Sequence, residues 1–339
     1  MGSTYVFDLY NLYIPEGSVY KNNTENVRIT PLRLAKEFEQ NRYSPNSKYH
    51  DGDWITSKCY VKKENEEDAQ EVASWISFLC SFAQSRKVYW DTYYPHNQGY
   101  ERKREYNTRL PPIHNQKSPL IGAIYPSGNN ELGPFLDSAL DTLRNSGEEE
   151  RDDIISTIFL YLASKARGLF AAKFLFAWIC IERNAEWNYR DYLDATSNHF
   201  IQQNIREDIQ NEINEVISSY VSGDKIEIME NRLTRSYLYE HRTIDKIKIY
   251  LDHLQVDVDD QVMVILNRCS QLRNDIAHQF NDDELSENEE AVYRLQRILS
   301  FIILDKLGIS EGLLQRMVIN TSADQPDVSL PNSDSFYDI

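Results

Sequence analysis

Long apolar runs are missing from the sequence, and this absence argues against a membrane-spanning helix. No stretch of about 18 apolar residues is free of charge, whereas a helix that crosses a bilayer needs about 20. The longest apolar run, from Leu169 to Ile181, is interrupted by Lys173 and predicts a buried helix. The first residues lack a basic segment followed by an apolar one, so secretion is not expected. A composition of 41% hydrophobic and 26% charged residues predicts a soluble globular protein.

Cysteine is scarce, and its spacing excludes the common metal sites. The four cysteines are too far apart for metal-ligand spacing, at positions 59, 80, 180 and 269. Cys80 and Cys180 lie within apolar helical runs, so we expect free buried thiols and a reducing, cytoplasmic location. His241 and His253 fall on polar helical surface without ligand-spaced partners, and the aspartates at 257–260 lack the glycine and glutamate of an EF-hand. We therefore assign no metal and no cofactor.

The sequence also lacks a glycine-rich phosphate loop and the Gly-x-Ser-x-Gly elbow of α/β-hydrolases. Positive charge is limited, since the chain has 36 Lys and Arg residues against 53 Asp and Glu residues, which gives a net charge of -17. Residues 1–120 hold 16 basic and 15 acidic residues, whereas the remainder holds 20 and 38. Such an acidic chain repels a phosphate backbone at long range. Any contact with RNA must therefore be confined to a local patch.

Residues 1–118 predict a mixed α/β domain. Aromatic and β-branched residues at 4–10, 54–61 and 87–94 favour strands. Residues 31–40 follow Thr30, a plausible N-cap, and predict a helix with proline at its first position. Apolar residues at helical spacing predict a second helix over 66–84. This order indicates a small sheet with helices against it.

Beyond residue 118 the pattern changes from mixed to helical. Residues 119–133, rich in proline and glycine, predict a linker, and residues 134–319 predict a helical domain. We expect seven helices in it, over 134–146, 148–164, 166–184, 191–221, 243–254, 256–280 and 286–307. The polar residues 320–339 predict a disordered tail.

The most informative segment runs from Val262 to Phe280. Its apolar residues recur at helical spacing and predict a buried stripe, made of Val262, Ile265, Leu266, Cys269, Leu272, Ile276 and Phe280. The polar side carries Arg268, Arg273, Asn274, Asp275 and His278. Asn274 and His278 are four residues apart and share one face of the helix. Arg273 and His278 are five apart, roughly 140° round the helix, so both can flank one seam.

The run at 273–278, Arg-Asn-Asp-Ile-Ala-His, resembles the motif of the HEPN superfamily, in which Arg, often followed by Asn, precedes His by four to six residues. The apolar segment from Ala171 to Asn184 resembles the helix that precedes the motif helix in such domains. The chain is most similar to the Apea-like group, in which a HEPN domain follows a separate N-terminal domain. The resemblance covers residues 150–310 and implies an α+β N-terminal domain followed by an all-α HEPN helical bundle.

The resemblance implies a metal-independent endoribonuclease with a composite active site at a homodimer interface. His278 would transfer protons, since the pKa of histidine lies near neutral pH, and Arg273 would hold phosphate oxygens. Asn274 would orient the imidazole or a phosphate, with Asp275 and Glu182 in support. Glu182 and Arg183 have a structural alternative as an exposed ion pair at the end of a helix. The implied substrate is RNA, transfer RNA among the candidates, in anti-phage defence or as a toxin.

Two alternatives remain for the helical part. An inert HEPN module would bind a partner protein or a nucleotide and assemble a larger complex, without a membrane. A toxin would be held by an antitoxin or released by an activating phage component, with the N-terminal domain as its sensor. Cations and rings alternate in residues 86–109 and suggest an RNA-binding patch, at Tyr100, Arg102, Lys103, Arg104 and Tyr106. The alternative for this stretch is aromatic packing at a sheet edge.

Overall fold

A computed structural model describes eleven parts of the chain. They are residues 2–14, 18–33, 53–96, 103–104, 132–166, 169–196, 203–220, 222, 241–254, 260–278 and 289–309. The chain divides into two compact units. The first unit is Met1–Ala177 with Asp282–Asn332, and the second is Trp178–Asn281 with Ser333–Ile339. The predicted linker up to residue 131 and the predicted tail at 320–339 lie outside the described residues.

A six-stranded antiparallel sheet forms the centre of the first unit. Its strands are β1 (Ser3–Tyr10), β2 (Tyr20–Asn22), β3 (Val27–Pro31), β4 (Ile55–Lys63), β5 (Tyr89–Pro95) and β6 (Lys103–Arg104). They lie in the order β2-β3-β4-β1-β5-β6. The predicted strands at 4–10, 54–61 and 87–94 are confirmed as β1, β4 and β5, whereas β2, β3 and β6 were not predicted.

Eight helices lie within the described residues. They are α1 (Glu66–Gln84), α2 (Leu132–Asn145), α3 (Glu148–Ser164), α4 (Phe170–Thr196), α5 (Gln203–Tyr220), α6 (Thr243–His253), α7 (Asp260–His278) and α8 (Glu289–Lys306). An α+β part followed by a helical part is therefore confirmed, while the HEPN assignment stays a prediction. Among the described residues, no helix is long and apolar enough to cross a bilayer.

The prediction of a helix beginning at Pro31 is wrong. Thr30 and Pro31 belong to β3 and pair with Lys58 and Ser57 of β4. On the other side, β2 pairs with β3 only as far as Ile29, so no neighbouring strand needs the N–H that Pro31 lacks. The rest of that predicted helix, residues 34–40, lies outside the described residues.

Helix α1 covers one face of the sheet and was predicted correctly at 66–84. Asn65 caps it, since its side-chain oxygen accepts from the backbone N–H of Asp68 at 2.7 Å. Phe7 of β1 lies on this face with Trp90 and Tyr93, at ring-centroid distances of 5.0 and 5.5 Å. All three are buried.

Three helices from beyond the predicted linker, α2, α3 and α8, belong to the first unit together with the beginning of α4. Helix α1 packs against α2 and α3, and α8 packs against α3. Tyr20 and Asn22 of β2 donate hydrogen bonds to Asp137 of α2 at 2.9 and 2.8 Å. Lys306 of α8 pairs with Asp153 of α3 at 2.5 Å. Helices with long sequence separation from the sheet are thus part of the same core.

The predicted break between helices 166–184 and 191–221 is wrong. Helix α4 continues through residues 185–190, where Ala185 and Tyr189 are buried. Two asparagines of this stretch hydrogen-bond within the helix, since Asn184 donates to the carbonyl of Cys180 at 2.7 Å and Asn188 to that of Asn184 at 2.9 Å. The next described helix, α5, begins at Gln203, and residues 197–202 lie outside the described residues.

Candidate functional site

Helix α7 carries the motif and buries the predicted apolar stripe. Leu266 and Cys269 are fully buried, and Leu272 and Ile276 are nearly so. The helix packs against α6. Burial raises the pKa of the Cys269 thiol to about 12, so this thiol stays protonated and is a poor nucleophile. The predicted member Phe280 lies outside the described residues.

The opposite side of α7 is exposed and holds the first two motif residues. Arg273 and Asn274 are both exposed, and Nη1 of Arg273 donates to Oδ1 of Asn274 at 3.3 Å. This contact uses one of the five N–H donors of the guanidinium. No carboxylate of a described side chain pairs with Arg273, so its charge is not neutralised in the described part of the second unit.

His278 is the last residue of α7, and its side chain and that of Asp275 lie outside the description. Helical geometry places the backbone of His278 one turn beyond Asn274. The structure thus brings Arg273 and Asn274 together, while the predicted cooperation of Arg273 with His278 stays a prediction.

Glu182, the predicted supporting residue, lies in the middle of α4 rather than at its end. The alternative interpretation placed Glu182 and Arg183 at the end of a helix as an exposed ion pair. This position is wrong, because α4 extends to Thr196. Glu182 lines an open groove of about 630 Å³, whose described lining is Ile179, Glu182, Arg183, Glu186, Trp187 and Arg190. No hydrogen bond between described side chains joins Glu182 to Arg273 or Asn274.

A polar network beside this groove was missed by sequence reasoning. Lys246 of α6 donates to both carboxylate oxygens of Glu186 at 3.0 and 2.7 Å. Its ammonium also lies 4.9 Å from the ring centroid of Tyr189. The hydroxyl of Tyr189 is hydrogen-bonded to Nδ1 of His241 at 2.6 Å. His241 thus contacts the buried ring of Tyr189 and lies before the first residue of α6. The prediction that it lies on a polar helical surface is therefore wrong.

The second predicted patch is described only at the backbone of β6. The register pairs Arg104 with Thr92 and Lys103 with Tyr93 of β5. The side chains of Lys103 and Arg104, and all of Tyr100, Arg102 and Tyr106, lie outside the description. Upstream in the same stretch, Trp90 and Tyr93 are core residues.

Within the described part of the chain, neither the cysteines nor potential metal ligands form another candidate site. All four cysteines are free and buried, as predicted. Among the described residues, no group of three His, Cys, Asp or Glu side chains could hold a metal ion.

No family model, curated protein or solved structure matches this chain. Any assignment of function therefore depends on the residues and their geometry.

Proposed function

We propose that this protein is a metal-independent endoribonuclease of the HEPN type, with an active site composed from two copies of the chain. The observation that carries the proposal is the exposure of Arg273 and Asn274 on a helix whose other side is buried. A structural polar seam would surround such an arginine with carboxylates. An exposed guanidinium that uses one of its donors among the described residues instead suits a phosphate ligand.

The proposed reaction uses the nucleophile that RNA carries. His278 of one subunit removes the proton of a 2′-hydroxyl, whose oxygen forms a bond to the adjacent phosphorus. The bond from phosphorus to the 5′-oxygen breaks, and the second subunit's His278 protonates that oxygen. Arg273 holds the non-bridging oxygens, and Asn274 orients the phosphate or an imidazole. The products are a 2′,3′-cyclic phosphate and a 5′-hydroxyl, and Asp275 and Glu182 have supporting roles.

The proposed setting is anti-phage defence or toxin action in the cytoplasm, with transfer RNA among the candidate substrates. The first unit would hold the nuclease inactive until a phage component activates it, or an antitoxin would do so. Expression of the intact chain should then slow growth, and His278→Ala should relieve the effect. Equal growth inhibition by both chains would contradict this setting.

A second candidate function is an inert HEPN module that binds a partner protein or a nucleotide. The acidity of the chain beyond residue 120, with 38 acidic against 20 basic residues, favours it because it opposes approach of RNA. The two candidates differ in whether RNA is cut.

The deciding experiment is cleavage of labelled total RNA and transfer RNA in excess EDTA. We expect cleavage by the wild type, and a loss of about 100-fold or more for Arg273→Ala and His278→Ala. Lys248→Ala is the matched control, because it removes an exposed cation from α6. Product ends should be 2′,3′-cyclic phosphates.

Equal cleavage by wild type and His278→Ala, or dependence on a divalent metal, would contradict the proposal. If the wild type stays inactive even in extract of phage-infected cells, the inert module is favoured instead.

A further inference from the structure

The second face of the sheet differs from the face that α1 covers. Directly paired residues of neighbouring strands share a face, and side chains alternate between faces along a strand. Tyr60 of β4 pairs with Val6 of β1 and with Arg28 of β3. Lys58 pairs with Asp8, and Lys62 with Thr4. These residues therefore lie on the face opposite to Phe7.

Two further pairs extend this face to both sides. Lys21 of β2 pairs with Arg28, and Tyr94 of β5 pairs with Val6. We call the resulting surface the basic face, made of Lys21, Arg28, Lys58, Tyr60, Lys62 and Tyr94. Lys21, Arg28 and Lys62 are exposed, whereas Lys58, Tyr60 and Tyr94 are half-buried.

The basic face concentrates positive charge in a chain whose net charge is -17. It carries four cationic side chains, and the carboxylate between them, that of Asp8, is only 1% exposed. Nζ of Lys58 lies 3.8 Å from Oδ1 of Asp8, so the carboxylate faces a cation rather than solvent. The hydrogen bond from Lys58 to Tyr94 raises the pKa of its ammonium, which therefore stays charged at physiological pH.

A cation contacts each of the two tyrosines of the basic face. The guanidinium of Arg28 lies over the ring of Tyr60, 5.9 Å from its centroid. Nζ of Lys58 donates to the hydroxyl of Tyr94 at 2.7 Å and lies beyond that hydroxyl, 5.4 Å from the ring centroid, rather than over the ring. His96, exposed at the end of β5, meets Tyr60 edge-on at 5.8 Å. An unpaired base can stack on such rings while the adjacent cations hold its phosphates.

The combination of rings and cations suits RNA in single-stranded form. Proteins that recognise RNA by its bases mostly bind single-stranded segments, whose unstacked bases can lie on aromatic side chains. The basic face offers two such rings, Tyr60 and Tyr94, with four cationic side chains around them.

We propose that the basic face binds single-stranded RNA, with bases on Tyr60 and Tyr94 and phosphates on Arg28 and Lys62. The inference is independent of the proposed nuclease, because it concerns residues of the first unit and a binding step. Duplex RNA is a poorer ligand for this face, since its bases are stacked on each other and cannot lie on the tyrosines.

The test is fluorescence anisotropy with a labelled single-stranded RNA of about 12 nucleotides, a length suited to one small binding surface. The full chain carries His278→Ala, so that the probe survives if the nuclease proposal is also correct. Binding should be measured over a range of salt concentrations. The same RNA as a duplex, and DNA of the same sequence, are the comparison ligands.

Two classes of variant separate stacking from charge. Tyr60→Leu should weaken binding about 10-fold with little change in salt dependence, and Tyr60→Phe should restore it, because stacking needs the ring. Arg28→Gln with Lys62→Gln should weaken binding and reduce the slope against log salt by about 1.4, at about 0.7 for each lost phosphate contact. Arg151→Gln is the matched control, since its guanidinium lies 5.4 Å from the ring centroid of Trp75, away from this face.

We expect the parent chain to bind single-stranded RNA tightly and the two classes of variant to lose affinity as described above. All variants should have the melting temperature of the parent. Unchanged binding in Tyr60→Leu and in Arg28→Gln with Lys62→Gln would overturn the proposal. Absence of binding by the parent, or equal binding of the duplex, would do so as well. Equal binding of the DNA would overturn RNA as the occupant. None of these results depends on cleavage.

Discussion

The first unit is held by buried rings, whereas the described helices of the second unit leave more of their side chains exposed. In the first unit Phe82 of α1 contacts Phe135 of α2 and Tyr161 of α3, with centroid distances of 6.1 and 5.2 Å. All three are fully buried or nearly so. In the second unit Ile217 is the one buried residue among the described side chains of α5. The two units therefore differ in how much apolar packing supports each helix.

This difference indicates where substitutions are tolerated. A densely packed core loses stability when a ring is removed, because the cavity closes only in part. An exposed helix face tolerates substitution and can be shaped by a ligand or by a second copy of the chain. The exposed side of α7, with Arg273 and Asn274, belongs to the second kind of surface.

The buried cysteines allow the stability of each unit to be measured separately. Burial raises the pKa of the thiols of Cys59 and Cys80 in the first unit, and of Cys269 in the second. Because the thiolate is the reactive form, alkylation at pH 8 should be slow until a unit unfolds. Mass spectrometry of alkylated peptides in increasing urea then gives the stability of each unit.

The largest loss of stability is expected from Phe82→Ala. It should lower the free energy of unfolding of the first unit by about 3–5 kcal/mol, because it removes a fully buried ring. Val264→Ala on α7, where the side chain is 66% exposed, should change the stability of the second unit by less than about 0.5 kcal/mol. Alkylation of Cys80 and Cys269 in urea measures the two effects. A large loss in Val264→Ala would mean that this exposed face is packed in solution.

An intermediate effect is expected at the ion pair of Glu186 with Lys246. The lysine side chain is 9% exposed and the glutamate 47%, so the two partners lose different amounts of hydration on folding. Glu186→Ala should destabilise the second unit by about 1–2 kcal/mol, because a largely buried ammonium loses its carboxylate. Lys246→Met should cost less, because the remaining carboxylate is half-exposed to water and the apolar side chain suits the site. Alkylation of Cys269 in urea measures both; an equal loss in the two variants would contradict the asymmetry.

Much of α1 could be predicted because its signals are local. Asn65 marks the beginning of the helix, and Ala69, Val72 and Ile76 repeat at the helical period on its buried side. Strand β3 could not be predicted in this way, since its pairing with β4 joins residues about thirty positions apart. Pro31 predicted the beginning of a helix only because it follows Thr30, a plausible N-cap.

The candidate site was predictable to a similar extent. The exposure of Arg273 and Asn274 follows from the period of the apolar residues around them. The contact of Lys246 with Glu186 spans 60 residues and depends on which helices pack together. A signal was present, because Lys246 lies between Ile244 and Ile247 on the buried stripe of α6. A lysine at such a position needs a partner, but the sequence does not identify it.

The smallest of these effects is expected at the N-cap of α1, and it tests whether the first unit alone responds. Asn65→Ala removes the acceptor for the backbone N–H of Asp68 and should cost about 1 kcal/mol. Asn65→Ser is the matched control, because its hydroxyl can accept the same hydrogen bond. In Asn65→Ala the alkylation of Cys80 should be about fivefold faster at low urea, while that of Cys269 stays unchanged. Equal acceleration at both cysteines would mean that the two units unfold together.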